Sequence, residues 1–390
     1  MARYGESVTQ NHDRVGRGGT STPTIRWALA QPDLSGNEGA YVSACVRDEW
    51  ISSAGPYVHR FEEAFAEWTG AHHAVACANG TVALHLALAA LGIGPGDEVI
   101  VPAMTYVASA NAVSYVGADL VLADVESDTL NISAETVAAV ATDRTRAVIP
   151  VDLYGAPAPV AEVRAAVPTG AFIVEDSAEA IGGYVGGRHV GLDADLATFS
   201  FFGNKTPTTG EGGTVICRDA DGADTVRLLR GQGQPPGMTY FHSVVGFNYR
   251  LTNVQAAIGV AQLERVDQFI ARRAQIAGLY RELLANLSDD IHVPDALPGT
   301  THANWMMTVV LRDGDQRRRD AVRSRLLSAG IETRPAFTPI HKLPMYERSA
   351  AFPVADWVGD GAITIPLHTR LSDDDVAFIV EALSAALTTS

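Results

Sequence analysis

The residue pattern predicts an α/β protein, with a large domain on a doubly wound, mostly parallel sheet and a smaller C-terminal α+β domain. Between residues 60 and 220, apolar helix-like stretches alternate with short β-rich runs. Several runs, such as AVIPV and AFIVE, are apolar throughout, as in strands covered by helices on both faces. After residue 246 longer helical spacing replaces the alternation. We therefore predict a flexible tail at 1–26, a large domain at 27–253 and a smaller domain at 254–390.

The order of elements in the large domain places its loops where ligands bind. Helices are predicted at 61–68 and 82–91, and strands at 98–101, 120–125, 147–151, 172–175, 196–201 and 214–217. In such a sheet, ligands bind beyond the carboxyl ends of the parallel strands. In the smaller domain the spacing predicts one long helix at 254–287, a strand at 306–311, and helices at 318–329 and 373–387, the last capped by Ser372.

Composition excludes several functional classes. The 390 residues carry 45 acidic and 29 basic side chains, a formal charge of −16, which argues against a nucleic-acid binder or a basic membrane-surface protein. No apolar run approaches the ~18 residues of a membrane span. The three cysteines form no CxxC pair, so we expect neither a disulfide framework nor a metal site built on cysteines. Together these features predict a cytoplasmic protein.

The scarcity of lysine points to a reactive amine. The chain has only two lysines, Lys205 and Lys342, beside 27 arginines. A lysine amine can become a nucleophile when it is partly desolvated, whereas arginine stays charged. Lys205 lies in a loop between two predicted strands, with Ser200 and Asn204 nearby and the glycine-rich TTGEGG after it. Lys342 lies in a Pro-rich stretch, and we expect it at the surface.

Two further motifs complete a candidate site around Lys205. Gly80 and Thr81 open a buried helix, whose free N–H groups and positive dipole end can seat a phosphate. The strand in AFIVEDSAEAIGG delivers Glu175 and Asp176 to its carboxyl end, where one carboxylate can hold a protonated heterocycle nitrogen. Glu179 follows one helical turn later. A lysine, an acid and a phosphate seat in this order predict a Schiff base with pyridoxal 5′-phosphate.

The same motifs resemble a known family. NGTVALHLAL, GDEVIVPAMTYVASANAV, VEDSAEAIGG, SFFGNKTPTTGEGG and FNYRLTNVQAAIGVAQLER are similar to the DegT/DnrJ/EryC1/StrS sugar aminotransferases, which are pyridoxal-phosphate enzymes of fold type I. The likeness runs from about Trp27 to the C-terminus. DEWISSAGPYVHRFE, LRGQGQ, ANWM and GIETRP are most similar to the GDP-perosamine synthase branch, which aminates C4 of GDP-4-keto-6-deoxymannose.

The resemblance implies roles for the cofactor residues. Lys205 would form the Schiff base and then carry the proton between cofactor and substrate carbons. Asp176 would pair with the pyridine nitrogen, and Tyr106 would stack on the ring. The phosphate would be held by Gly80, Thr81 and Ser200.

The resemblance also implies contacts around the cofactor and between subunits. Asn248 would reach the phosphate of a neighbouring subunit, which makes a homodimer the smallest complete unit, with the active site at the interface. Glu179 would lie near the phenolic oxygen of the cofactor. Arg250, Arg334 and His341 are candidates for the nucleotide diphosphate or the carboxylate of the amino donor.

Lysine at position 205 favours transamination, because the related deoxysugar dehydratases carry histidine there. The leading hypothesis is transfer of an amino group from an amino acid, by family habit L-glutamate, to a nucleotide-linked 4-keto-6-deoxyhexose. The alternatives are the same chemistry on a 3-keto sugar, a dTDP-linked sugar or a keto-inositol, and a pyridoxal-phosphate-binding regulator. A DNA-binding regulator would need a basic helix-turn-helix extension, which the chain lacks.

Overall fold

Helices and strands alternate through the first half of the chain in the computed structural model, which describes residues 24–388. Among these residues the α-helices are α1 Glu38–Arg47, α2 Pro56–Thr69, α3 Gly80–Ala90, α4 Ala108–Val116, α5 Ala134–Ala138, α6 Val160–Ala165, α7 Ala220–Arg230, α8 Asn253–Leu263, α9 Val266–Leu284, α10 Gln316–Ser328, α11 Pro353–Gly361 and α12 Asp373–Thr388. The strands are β1 His73–Cys77, β2 Glu98–Pro102, β3 Asp119–Ala123, β4 Thr145–Val148, β5 Phe172–Asp176, β6 Tyr184–Val185, β7 Arg188–His189, β8 Leu196–Ser200, β9 Gly213–Cys217, β10 Ile291–His292, β11 Thr300–Thr301, β12 Met307–Leu311, β13 Arg334–Pro335 and β14 Ala362–Ile365. Short 3₁₀ turns occur at Leu153–Gly155, Ala285–Leu287 and Ile340–Lys342.

The central sheet has seven strands in the order β1-β9-β8-β5-β4-β2-β3. Strand β9 runs antiparallel to both of its neighbours, whereas the pairs from β8 to β3 are parallel. The predicted α/β class with a mostly parallel sheet is therefore confirmed. The strands β2, β8 and β9 are buried along their whole length, because helices cover both faces of the sheet. The carboxyl ends of β5 and β8 lie side by side, which places Asp176 and Ser200 at one edge.

A second, antiparallel sheet of order β10-β12-β14-β13 follows in the C-terminal part. Its apolar core combines β12 and β14 with α9, α10 and α12, and it also takes in Trp27. Ser372 caps α12 as predicted, since its Oγ accepts a hydrogen bond from the Asp375 N–H at 3.1 Å. The domain division at 253/254 stays a prediction. None of the described helices combines the length and the apolar character needed to cross a bilayer.

Three parts of the chain differ from the prediction or lie partly outside the described residues. The single helix at 254–287 is wrong: the chain forms α8 and α9, because Arg265 leaves the helical conformation (φ −124°, ψ 5°) while its guanidinium bonds Asp33 at 3.2 Å. Strand β1 was not among the predicted strands, because two of the five residues of HAVAC are alanines, which are uncommon in strands. Of the tail predicted at 1–26, residues 1–23 lie outside the described residues, and the N–H of Arg26 donates to the Gly330 carbonyl at 2.9 Å.

Candidate active site

Lys205 lies in the loop that joins β8 to β9 at the carboxyl edge of the sheet. Its side chain is 11% exposed, and its Nζ lies 3.5 Å from Glu179 Oε1. The same Nζ lies 3.5 Å from the centroid of the Trp305 ring. Burial lowers the pKa of the Lys205 amine, although the carboxylates of Glu179 and Asp176 oppose this effect. The geometry thus yields an amine that gives up its proton more easily than a surface lysine does.

Asp176 ends β5 and is 5% exposed. Its Oδ2 accepts a hydrogen bond from Ser109 Oγ at 2.8 Å, and its Oδ1 accepts one from the Ala178 N–H at 3.2 Å. Burial raises the pKa of Asp176, and these hydrogen bonds and the Lys205 charge oppose the rise. Glu175 instead accepts a bond from the Gly191 N–H at 2.8 Å, because successive strand residues face opposite sides of the sheet. Of the two acids, Asp176 is therefore the one whose charge acts on Lys205.

The N-terminus of α3 meets the end of β8. Asn79 caps the helix, its side chain accepting a hydrogen bond from the Val82 N–H at 3.0 Å. A Cβ added at Gly80 would lie 2.9 Å from the Ser200 Cβ, so only glycine lets the helix start come this close to Ser200. Gly80 and Thr81 stay partly open to solvent. The predicted phosphate residues are thus brought together at the positive end of a buried helix.

An aromatic series runs from Lys205 to Tyr106. The Trp305 ring under the lysine amine is stacked 6.3 Å from Tyr154, which is stacked 5.8 Å from Phe337. Phe337 in turn lies 5.3 Å from Tyr106, whose side chain is exposed. The Tyr154 N–H also donates to Glu179 Oε2 at 2.7 Å. The series thus joins aromatic side chains from both parts of the chain between Lys205 and Tyr106.

Asn248 lies on an extended segment beside α3. The rings of Phe247 and Tyr249 stack at 5.0 Å, and Tyr249 OH lies 3.2 Å from Nδ1 of His85 on α3. The Tyr249 carbonyl accepts a hydrogen bond from the Ala78 N–H at 2.8 Å. Asn248, between the two packed rings, is exposed in the single chain. The two flanking rings thus pack against the protein, while Asn248 stays open to solvent.

The three weaker substrate candidates are not brought together. Arg250 is exposed, and its backbone pairs with Cys77 at the end of β1. Arg334 is exposed in β13, where its guanidinium lies 3.6 Å from Glu332. His341 is buried, with its Nε2 3.0 Å from Asp356 Oδ1. Their roles toward a substrate stay predictions.

Four neighbours of the site were not among the predicted residues: Ser109, Tyr154, Arg273 and Trp305. Ser109 and Trp305 lie within quoted motifs, MTYVASANAV and ANWM, but nothing in their spacing ties them to Asp176 or Lys205. Arg273 lies on α9, within a helical pattern that shows no sign of its burial. Side-chain contacts over such distances along the chain are visible only once the chain is folded.

Comparison with known proteins identifies the family. The model of the DegT/DnrJ/EryC1/StrS aminotransferase family matches residues 32–384. A GDP-perosamine synthase of Caulobacter vibrioides is 47% identical over 93% of this chain and 98% of its own length. Among solved structures, the aminotransferase TlmJ from Streptoalloteichus hindustanus has a TM-score of 0.87 and 32% identity, covering 93% of this chain and 99% of that one. Spr1654 from Streptococcus pneumoniae in its PLP form has a TM-score of 0.87 and 28% identity, covering 93% of this chain and 98% of that one. This chain therefore belongs to the DegT/DnrJ/EryC1/StrS aminotransferase family.

Proposed function

We propose that this protein is a pyridoxal-phosphate-dependent aminotransferase that moves an amino group from L-glutamate to C4 of GDP-4-keto-6-deoxymannose. The observation that carries the chemistry is the Lys205 amine, buried 3.5 Å from the Glu179 carboxylate at the sheet edge where Asp176 and Ser200 also lie. The 47% identity to a GDP-perosamine synthase over nearly the whole chain supports the choice of sugar.

The residues present fit the cofactor. Gly80, Thr81 and Ser200 would hold the phosphate, since Gly80 lies against Ser200 at the start of α3 while Gly80 and Thr81 stay partly open to solvent. Asp176 would hold the proton on the ring nitrogen, with Ser109 orienting its carboxylate. Tyr106 would cover one face of the ring. When bound, pyridoxal phosphate supplies a carbonyl that takes up the amino group and a ring that delocalises negative charge.

Lys205 would bind the cofactor through its amine and move protons. Its lowered pKa favours the neutral amine that a nucleophile and general base needs. Glu179 lies close enough to receive or return a proton at Lys205 Nζ, and its other oxygen is fixed by the Tyr154 N–H. The small exposed fraction of Lys205 limits the access of water to the reacting carbon.

The active unit would be a homodimer in which Asn248 serves the partner's phosphate. Two observations support this proposal. Phe247 and Tyr249 pack on α3 while Asn248 between them is exposed. In the neighbouring segment Tyr240 and Val245 are 92% and 91% exposed, as expected of apolar residues that a second subunit covers.

The three buried free thiols support the expected cytoplasmic location.

Assays with defined sugars test the substrate. The purified protein with pyridoxal phosphate and L-glutamate should convert GDP-4-keto-6-deoxymannose to a 4-amino sugar, identified by mass and by NMR. The dTDP-linked 4-keto-6-deoxyhexose serves as the matched competitor, and we expect its kcat/KM to be lower. Amination at C3, or preference for the dTDP sugar, would overturn the choice of substrate but leave the chemistry in place.

A further inference from the structure

The Lys205 amine contacts two groups that both favour its protonated form. The Glu179 carboxylate lies 3.5 Å from Nζ, and the Trp305 ring centroid also lies 3.5 Å from it. An ammonium over an indole face is attracted by the negative face of the ring, more strongly when water is excluded.

The indole is itself held in place from several directions. Trp305 is 8% exposed, and its Nε1 donates to the Asn204 carbonyl at 3.1 Å, within the loop that carries Lys205. Its own carbonyl accepts a hydrogen bond from Arg273. Tyr154 stacks on the ring with an interplanar angle of 14°. The ring is therefore fixed relative to the lysine loop.

The Arg273 guanidinium anchors the Trp305 backbone through a hydrogen bond to its carbonyl. This guanidinium is 3% exposed, and it donates to the carbonyls of Asn304 and Trp305 and to Thr206 Oγ1, none of which is a carboxylate. Burial lowers its pKa to about 9. Burying a cation without an opposite charge is costly, so its hydrogen bonds to the 304–305 segment must compensate. The arrangement couples α9 to the residue beneath the lysine.

We propose that Trp305 is a positioning residue for Lys205: its indole face and the Glu179 carboxylate form a seat that offsets part of the effect of burial and keeps more of the free amine protonated than burial alone would allow. Burial pulls the amine toward the neutral form, and the seat restrains that tendency. The released lysine would then keep the proton it has accepted close to the reacting carbon. Only this last, catalytic consequence rests on the proposed function.

The charged groups that face the amine are few. Glu179 and Asp176 favour the ammonium, and Arg273 lines the same pocket as a cation. A smaller side chain at position 305 leaves these groups in the chain but can also admit water, so the substitution that keeps the shape of the indole isolates its contribution.

The small number of lysines makes a direct test practicable. Full-length protein freed of cofactor is acetylated with trace acetic anhydride between pH 7 and 11, and peptide mass spectrometry gives the pH midpoint for each lysine. Lys342 is the internal reference, since the chain has only these two lysines. The midpoint, rather than the rate, is compared, because the rate also depends on access. This readout needs no turnover, so it is independent of the substrate.

Trp305→Leu should lower the Lys205 midpoint by about one pH unit, because it removes an attraction of the order of one to two kcal/mol. Trp305→Phe should lower it less. Fluorinated tryptophan placed at position 305 keeps the shape and excludes water, and the midpoint should fall with each added fluorine. Trp357→Leu is the matched control, since Trp357 Nε1 also donates to a carbonyl, at 3.0 Å from Leu311 O.

Three results would overturn the proposal. The first is a Lys205 midpoint that is unchanged or raised in Trp305→Leu. The second is an unchanged midpoint across the fluorinated series, which also decides the question if the leucine variant does not fold. The third is an equal shift in Trp357→Leu, which would indicate general loosening. In the Trp305 variants the Lys342 midpoint should stay at the wild-type value. Trp357 adjoins Asp356, an ion-pair partner of Lys342, so the control variant is compared at Lys205 alone.

Discussion

The surroundings of the two lysines shift the pKa of the same side chain in opposite directions. Lys205 is 11% exposed in a loop of the main sheet, beside one carboxylate and an aromatic face. Lys342 is 37% exposed in a 3₁₀ turn, with its Nζ 2.7 Å from Asp356 and 3.4 Å from Asp360. Burial lowers the pKa of Lys205, and its carboxylate neighbours do not reverse this. Partial burial also favours the neutral form of Lys342, but its two aspartates outweigh burial and raise its pKa.

The comparison shows that exclusion of water, more than the number of charged neighbours, separates the pKa values of these two lysines. Both amines lie near acids, yet only Lys205 is withdrawn from solvent strongly enough to lose affinity for its proton. Lys342 serves a surface network with Asp356 that also bonds the buried His341.

Removing each amine should have very different consequences. Lys205→Ala and Lys205→Arg should lower kcat by roughly 10⁴-fold, because neither variant offers an amine that can bind the cofactor or move the proton. Lys342→Ala and Lys342→Arg are the matched controls and should keep wild-type turnover. Steady-state kinetics and the visible absorbance of the bound cofactor measure the effect. Wild-type turnover in either Lys205 variant would refute the assignment.

Changing Asp176 should have the next largest effect on turnover. Asp176→Asn should lower kcat by roughly 10²-fold, because a neutral amide cannot hold a proton on the ring nitrogen by charge. Ser109→Ala keeps the carboxylate and loses only the 2.8 Å hydrogen bond, so its loss should be smaller. Both are measured by steady-state kinetics at saturating cofactor. The order would be contradicted if Ser109→Ala were the more damaging change.

Mixed dimers show whether the Lys205 region is complete within one chain. Lys205→Ala and Asn248→Ala subunits, each impaired alone, should regain about a quarter of wild-type activity after random subunit exchange, because half of the dimers then carry one intact site. A mixture of Lys205→Ala with Lys205→Arg is the control and should regain none. If exchange is verified by native mass spectrometry and activity does not return, Asn248 acts within its own subunit or not at all.

The smallest effect is expected at Lys342. Its pKa in the folded state is raised above 10.5, so its contribution to stability is fully present below pH 10.5 and is lost as the pH rises through the folded-state value. Lys342→Met should lower the free energy of unfolding by no more than about 1 kcal/mol at pH 8, since the group is partly exposed and screened. Urea denaturation at pH 8 and above pH 11 measures the difference, and Lys342→Arg should retain most of it. A larger loss at the higher pH would contradict this.

Much of the fold and part of the site could be predicted because they depend on local patterns. Apolar runs predicted six of the seven strands of the central sheet, and alternation with helices predicted its mostly parallel order. Gly80 and Ser200 were predicted to serve one phosphate, and the structure brings them together. The break at Arg265 could not be predicted, because it accompanies a bond to Asp33, far away in the chain.

The α/β class and the family could be predicted from the order of the residues, and Lys205 rather than Lys342 could be proposed as the reactive amine. These predictions rest on periodicity, on motifs in a fixed order and on the scarcity of lysine. Packing of the folded chain was needed to show that Glu175 bonds Gly191 while the Asp176 charge acts on Lys205. It was also needed to show that Ser109 bonds Asp176 and that the Trp305 ring lies 3.5 Å from the amine. The physical reason is that hydrogen bonds and ring contacts depend on distances of a few ångströms, and residues 100 positions apart reach those distances only when packing closes the chain around them.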